Sequence, residues 1–386
     1  MILLVNQHTV PVFTDVVNAF ANAGHTTRLF TGYVEPGRVP IDHRVKIINS
    51  IAYNRKSTFS RFTTWLTFSI HYFFYLLFCR KPSRILVVTN PPTVPFVTAL
   101  VARWRNIPFH VVVFDLYPEA LQQAGMSSNK SWVFKRWQAN NRWTFRRAKS
   151  IITLSESMKQ AVVSYTSPDK VHIIFNWADT NYIHPVERTR NPFITRHQLA
   201  GKFVVLYSGN MGLTHDLESL VEAAALLKTD PDIVFVLIGE GGKKKKLESL
   251  AAQNDLGNIM FLHYQDAVMF PLAMASADVG IVTLGTGAEG ISVPSKTYVN
   301  MAAGLAIIAI SPANSELNRI VEHFSIGYVV LPGQPQQIAD HIRSLANNPA
   351  ALSALKLRSR EAAINFTSAN AKQYVDHLNP EENPKP

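Results

Sequence analysis

The chain has 386 residues, 47% hydrophobic and 10% aromatic, which excludes a disordered polymer and favours two cores over one. A single cysteine, Cys79, excludes an internal disulfide framework and a thiolate-clustered metal site, and suits a reducing compartment. The net charge of +11 is uneven: residues 1–190 carry 23 Lys/Arg against 9 Asp/Glu (+14) and residues 191–386 carry 15 against 18 (−3), so the first half is expected to meet an anionic partner.

Residues 1–6 read as a buried strand, without the basic start or small-residue cleavage site of a signal peptide. Residues 13–23 follow as an amphipathic helix closed by Gly24-His25, and residues 26–31 as the next strand. The loop at 7–15 holds His8, Thr14 and Asp15 at the carboxyl end of the first strand, where α/β folds hold ligands. No glycine-rich fingerprint there supports a dinucleotide, and an isolated loop histidine is ordinarily plain polar surface. Residues 62–79 are the most apolar stretch, with eight aromatics, and basic residues frame them. The stretch is near the lower length limit for spanning a bilayer and is interrupted by Thr63, Thr64, Thr67, Ser69 and His71. It reads as a helix with one face on the sheet and the other against lipid, or as a core helix.

Strands at 84–89 and 109–114 end at Asn90-Pro91-Pro92 and Asp115-Leu116-Tyr117-Pro118-Glu119, with a helix at 95–104 between them. Asn90, Asp115 and Tyr117 thus sit at strand carboxyl ends; the plainer role for Asp115 is to cap the next helix. Residues 132–149, with three Trp and six Lys/Arg, suit an interfacial helix or a solvated one with snorkelling Arg stems. A strand at 151–154, a helix from Ser155 and a strand at 171–175 lead to Asn176-Trp177-Ala178-Asp179. Such alternation means a parallel, doubly wound sheet.

The alternation then restarts. The expected division is a first domain at 1–185, a linker at 186–201, a second domain at 202–365, and a closing helix and polar tail at 366–386. Strands at 203–207, 233–238 and 259–262 run into Ser208-Gly209-Asn210-Met211-Gly212, Gly239-Glu240-Gly241-Gly242 and His263-Tyr264-Gln265. Glycine lets a backbone approach phosphate closely, although neither glycine loop has P-loop spacing. The lysine run at 243–246 reads as a solvated helix face. Asp230-Pro231-Asp232 precedes a strand, at the wrong edge for a ligand, and reads as turn chemistry; no His/Asp cluster has metal-ligand spacing, so no metal is expected. After a strand at 279–282, Val293-Pro294-Ser295-Lys296-Thr297 opens a short helix that stops at Gly304. Ser295 suits an N-cap and Gly304 a C′ position. The first-turn amides and the Lys296 charge make a seat for a diphosphate, or simply a capped helix between two strands.

Taken in order, Gly24-His25, Asn90-Pro91-Pro92, Asp115 to Glu119, Asn176 to Asp179, Ser208-Gly209-Asn210, Gly239-Glu240-Gly241 and Val293-Pro294-Ser295-Lys296-Thr297-Tyr298…Gly304 resemble glycosyltransferase family 4, nearest the subgroup of bacterial lipopolysaccharide, capsule and exopolysaccharide synthesis. The resemblance implies a GT-B fold, two Rossmann-like domains facing a central cleft, with the final helix crossing back to the first. It implies a retaining, metal-independent transfer without a cofactor, from a nucleotide-diphosphate sugar to a lipid-linked saccharide acceptor, by a protein held peripherally at the cytoplasmic face of the membrane. Lys296 would stabilise the leaving diphosphate. Asp115 and Glu289 are the further catalytic candidates. Ser208, Gly209, Asn210, Gly239, Glu240, Gly241, His263, Tyr264, Ser292, Val293, Pro294, Ser295 and Thr297 would hold the donor. His8, Thr14, Asp15, Asn90 and Tyr117 would face the acceptor. The family's pair of glutamates separated by seven residues is missing: its positions fall on Ile291 and Val299, with Glu289 two residues earlier. A non-catalytic sugar-nucleotide-binding partner and a sugar-nucleotide 2-epimerase are the alternatives; no nucleic-acid-binding module is readable.

Overall fold

A computed structural model of the chain describes residues 1–54, 57–123, 131–212, 215–288 and 293–378. Among these, residues 1–176 and 368–378 form one compact unit, and residues 177–288 and 293–367 a second.

The first unit is built on strands β1 (Ile2–Val5), β3 (Thr27–Thr31), β5 (Lys46–Asn49), β6 (Arg84–Val88), β7 (Phe109–Val112), β8 (Ser150–Thr153) and β9 (Val171–Ile173). They form one parallel sheet in the order β5-β3-β1-β6-β7-β8-β9. A separate short ladder joins β2 (His8–Thr9) to β4 (Tyr33–Val34). The inner strands are mainly apolar and buried, as covering on both faces requires; β1 is Ile-Leu-Leu-Val, all buried. β5 escapes the sequence reading because it lies at the sheet edge, where Lys46, Ile47 and Asn49 are exposed and no apolar run is needed.

The helix expected at 13–23 starts at Pro11, whose fixed φ suits a first helical position, and runs to Asn22. Thr14 and Asp15 are therefore helical and not loop residues. The apolar stretch forms the helix Thr58–Phe78, capped by Ser57, whose side chain accepts from the Ser60 amide at 3.0 Å. Its inner side, Trp65, Phe68, Tyr72 and Leu76, is buried, and Phe68 and Tyr72 stack round Phe30 of β3. Among the described residues no helix is long and apolar enough to cross a membrane. The helices Val94–Arg105 and Trp132–Arg147 follow β6 and β7. The chain's last described helix, Asn370–Leu378, belongs to this unit: it packs on Pro11–Asn22, buries Tyr374 and Leu378, and brings His377 to 4.1 Å from the ring of His172.

The second unit holds β10 (Phe203–Ser208), β11 (Ile233–Ile238), β12 (Ile259–Leu262), β13 (Val279–Thr283), β14 (Ala306–Ile310) and β15 (Gly327–Val330), all parallel, in the order β12-β11-β10-β13-β14-β15. The chain starts in the middle, builds to one side, then returns and builds to the other. The reversal lies between β10 and β13 here and between β1 and β6 in the first unit. At such a point adjacent crossovers diverge and leave a crevice beyond the strand ends, so the loops after these strands are the places to look for ligands.

Candidate functional site

In the second unit one side chain organises the crevice. The helix Lys296–Ala302 follows β13, and Lys296 reaches back across the end of β10. Its Nζ donates to the Tyr207 hydroxyl at 2.5 Å and stands 4.0 Å from the Tyr207 ring centroid. Tyr207 donates in turn to the Asn210 carbonyl at 2.6 Å, and His215 Nδ1 lies 2.9 Å from both oxygens. Among the described residues, the half-buried Lys296 forms no ion pair with a carboxylate. Burial pushes the Lys296 pKa down to about 7, and pushes His215 down to about 4 with help from the Lys296 charge. His215 is thus neutral at pH 7, and Lys296 is about half protonated there, so that an arriving anion would draw it to the charged form.

The glycines of the two loops serve a closer purpose than the sequence suggests. A Cβ on Gly209 would lie 2.3 Å from Lys296 Cε, one on Gly239 would lie 1.9 Å from the Gly209 carbonyl oxygen, and one on Gly241 would lie 2.4 Å from the Met211 carbonyl oxygen. The loops lock into each other through bare backbone, with φ of +139° at Gly209, +143° at Gly239 and +155° at Gly241. They make a rigid floor beneath Lys296.

The lysine run is a solvated face only in part: Lys245 and Lys246 are exposed, whereas Lys243 is half-buried and Lys244 buried. Lys243 and Lys246 both bind Glu218, at 2.7 and 2.9 Å, and Lys244 binds Glu240 at 2.7 Å. Lys244, and after it His263 at 2.5 Å, hold the Glu240 carboxyl below its ordinary pKa. His263 and Tyr264 are exposed just past β12. Ser208 is half-buried at the end of β10 and Asn210 is exposed. Ser295 occupies the N-cap position, but its helical backbone angles keep its side chain from capping, which corrects that expectation. Gly304, at φ +67°, does end the helix: its amide donates to Met301 and the Leu305 amide to Asn300, the paired bonds of a Schellman turn. Val293 is buried, Pro294 half-buried, and Thr297 wholly buried, which points the Thr297 side chain into the unit. Glu289 and Ser292 lie outside the described residues. The Asp230-Pro231-Asp232 turn is tied down by Arg343 at 2.9 Å and Lys202 at 3.1 Å, at the opposite edge of the sheet.

In the first unit, the loops after β1, β6 and β7 share one sheet edge. His8 is paired to Glu35 at 3.1 Å. Asn90 gives its carbonyl to the Gln7 amide at 2.9 Å, which ties the β1 and β6 loops together. Asp115 is exposed, and its carbonyl takes the Thr89 hydroxyl at 3.0 Å; the next helix starts at Glu119, so Asp115 is not its cap. Thr14 is buried within its helix and Asp15 half-buried, so neither lies in the loop. Tyr117 sits in a file of aromatic rings, Tyr53 on Trp65, Trp65 edge-on to Tyr117, and Tyr117 stacked on Trp137 at 6.3 Å. Sequence reasoning missed Tyr207 and this file. The only signal for Tyr207 was a tyrosine near the carboxyl end of a mostly apolar strand, Phe-Val-Val-Leu-Tyr-Ser.

Two parallel-sheet units with switch-point loops make the GT-B fold, the fold of a class of glycosyl transferases. The chain belongs to that family. Residues 190–365 match the model of the glycosyl transferases group 1, and residues 9–177 match the glycosyl transferase 4-like domain. It is similar to the probable glycosyltransferase WbjE of Pseudomonas aeruginosa, 26% identical over 67% of this chain and 65% of WbjE, so the match stops short of two thirds of that relative. It is also similar to the putative colanic acid biosynthesis glycosyl transferase WcaI of Escherichia coli, 26% identical over 74% of this chain and 72% of WcaI. Its fold is that of HepE from Anabaena, solved with UDP and glucose (TM-score 0.74, 16% identical, 98% of this chain and 99% of the other), and of WaaG, a glycosyltransferase involved in lipopolysaccharide biosynthesis (TM-score 0.72, 14% identical, 98% and 99%).

Proposed function

We propose that this protein is a retaining glycosyltransferase that moves a hexosyl or N-acetylhexosaminyl group from a nucleotide-diphosphate sugar to a lipid-linked saccharide in bacterial surface polysaccharide synthesis, without a metal ion or cofactor, held peripherally on the cytoplasmic face of the membrane. The observation that carries this reading is Lys296, a half-buried amine clamped over Tyr207 at the switch-point edge, with no ion pair to a carboxylate among the described residues. As the bond from the sugar to the diphosphate breaks, negative charge collects on the diphosphate. A cation already fixed there, beside the backbone amides of the glycine loops, stabilises that charge without reorganising. HepE, on the same fold, was solved with UDP-glucose, which favours a uridine diphosphate donor. Asp115 and Glu289 are the carboxylates we assign to the reacting sugar and acceptor; His8, Asn90 and Tyr117 we assign to the acceptor.

The test is transfer from a panel of labelled nucleotide-sugars to lipid-linked saccharide extracts by wild type and Lys296→Met. The expected result is transfer by wild type, cut by about 10²–10³ in the variant. Equal transfer by both removes Lys296 from the mechanism. Binding of the donor without turnover establishes the non-catalytic partner, and an altered sugar-nucleotide formed without acceptor establishes the epimerase.

A further inference from the structure

We propose that one face of the first unit, the layer formed by the helices Thr58–Phe78, Val94–Arg105 and Trp132–Arg147, is the surface by which this protein lies on an anionic lipid bilayer. The proposal rests on the membrane reading above and supplies the face and the side chains that reading lacks.

The three helices belong to crossovers that all run the same way across the sheet, β5 to β6, β6 to β7 and β7 to β8. Right-handed crossovers therefore put them on one side, and the oppositely directed β1 to β3 crossover puts Pro11–Asn22 on the other. Side-chain contacts knit the layer: Ser69 to Thr93 at 2.6 Å, Tyr72 to Thr98 at 3.1 Å, and the rings of Phe96 and Trp143 at 5.6 Å. With Trp65, Phe68, Tyr72 and Leu76 turned inward, Thr58–Phe78 still shows a second apolar row. Phe62, Leu66, Ile70, Phe74 and Phe78 recur every four residues and are all exposed, Phe78 by 79%. Val94–Arg105 adds exposed Leu100 and Trp104, and Trp132–Arg147 adds exposed Trp132 and Val133. An apolar band across three adjacent helices needs a cover.

Charge says what the cover is. The three helices contain eight Lys/Arg and no Asp or Glu. Arg103, Lys135, Arg136, Arg142, Arg146 and Arg147 are exposed, as are Arg80 and Lys81 just past the first helix. A second copy of the same face would press like charges together. An anionic bilayer meets both properties at once: acyl chains take the aromatic and aliphatic row, and headgroups take the arginines and lysines. Exposed Trp104 and Trp132 suit the headgroup level. The helices then lie flat in the interface, since none is long and apolar enough to cross.

The experiment is vesicle flotation of the full chain with phosphatidylcholine alone and with phosphatidylglycerol added, at low and high salt. Four forms are compared: wild type, Leu66→Glu/Ile70→Glu, Lys135→Glu/Arg136→Glu, and Leu357→Glu, a control at an exposed apolar residue of the second unit. All substituted side chains are exposed, and melting temperatures confirm folding. Wild type and the control are expected to float with phosphatidylglycerol vesicles and release in high salt, while both double variants lose at least about tenfold in binding. All four keep the rise in melting temperature given by UDP, which keeps the face separate from the donor site. If wild type floats and the double variants float equally, the face is wrong and the membrane reading stands. If wild type floats with no vesicle, both fall. If wild type is a dimer in solution and Leu66→Glu/Ile70→Glu makes it monomeric, the face belongs to a second copy and the proposal is overturned.

Discussion

Lys296 is costly to keep. Below about pH 7 it carries its charge in both the folded and unfolded chain, but in the folded chain that charge is buried beside a ring and a hydroxyl. Between about 7 and the ordinary lysine value only the unfolded chain binds the proton, so the stability of this unit is expected to rise with pH there, by up to about 1.4 kcal/mol per pH unit from this residue. Lys296→Met removes the penalty: its melting temperature at pH 6 should exceed that of wild type by a few degrees, roughly, even as transfer is lost. A variant less stable than wild type at pH 6 would contradict the cause given for the shift. Donor binding should carry the opposite sign. A diphosphate requires the protonated lysine, so above pH 7 binding takes up a proton, and calorimetry in buffers of different ionisation enthalpy should find that uptake at pH 8 and little at pH 6.

At the scale of elements, the glycine loops decide whether the crevice has a floor. Gly239→Ala sets a methyl 1.9 Å from the Gly209 carbonyl oxygen at a φ that side chains rarely adopt, and should cost about 2 kcal/mol or more in chemical unfolding while weakening UDP binding. Gly304→Ala acts on the same helix from its far end: the Schellman turn needs φ +67°, and the loss should be roughly 1–2 kcal/mol with UDP binding retained. The elements themselves were largely legible in the sequence, because buried parallel strands are mainly apolar runs and the loops between them are marked by Gly, Pro and Asn. β5 was not, since an exposed edge strand needs no such run. The glycine loops were found but their packing on each other was not, because a glycine in a sequence does not say whether its missing side chain makes room for a ligand, for another loop or for both. The lysine run misled for a related reason: its partners, Glu218 and Glu240, come from other segments that only the fold brings near. Nor could spacing reveal that Tyr207 receives Lys296 from 89 residues further on.

Across the whole molecule, charge and apolar exposure separate the two halves. The first carries +14 and the acid-free helical layer, the second −3 and the lysine crevice. Each unit has its own sheet and core, so UDP should slow hydrogen exchange at residues 208–212 and 239–242 and leave the first unit's strands unchanged; protection spread evenly over both units would mean that the nucleotide is not bound at the crevice of the second. The helix Asn370–Leu378 complicates this separation, because the first unit closes its surface with residues that follow the second unit in the chain. On the ribosome, the flank of Pro11–Asn22 that receives this helix stays bare until the whole second unit has been synthesised. A nascent chain arrested before Asn370 should therefore present a sticky, unfinished lobe to chaperones, and an added peptide of that terminal segment should quieten it.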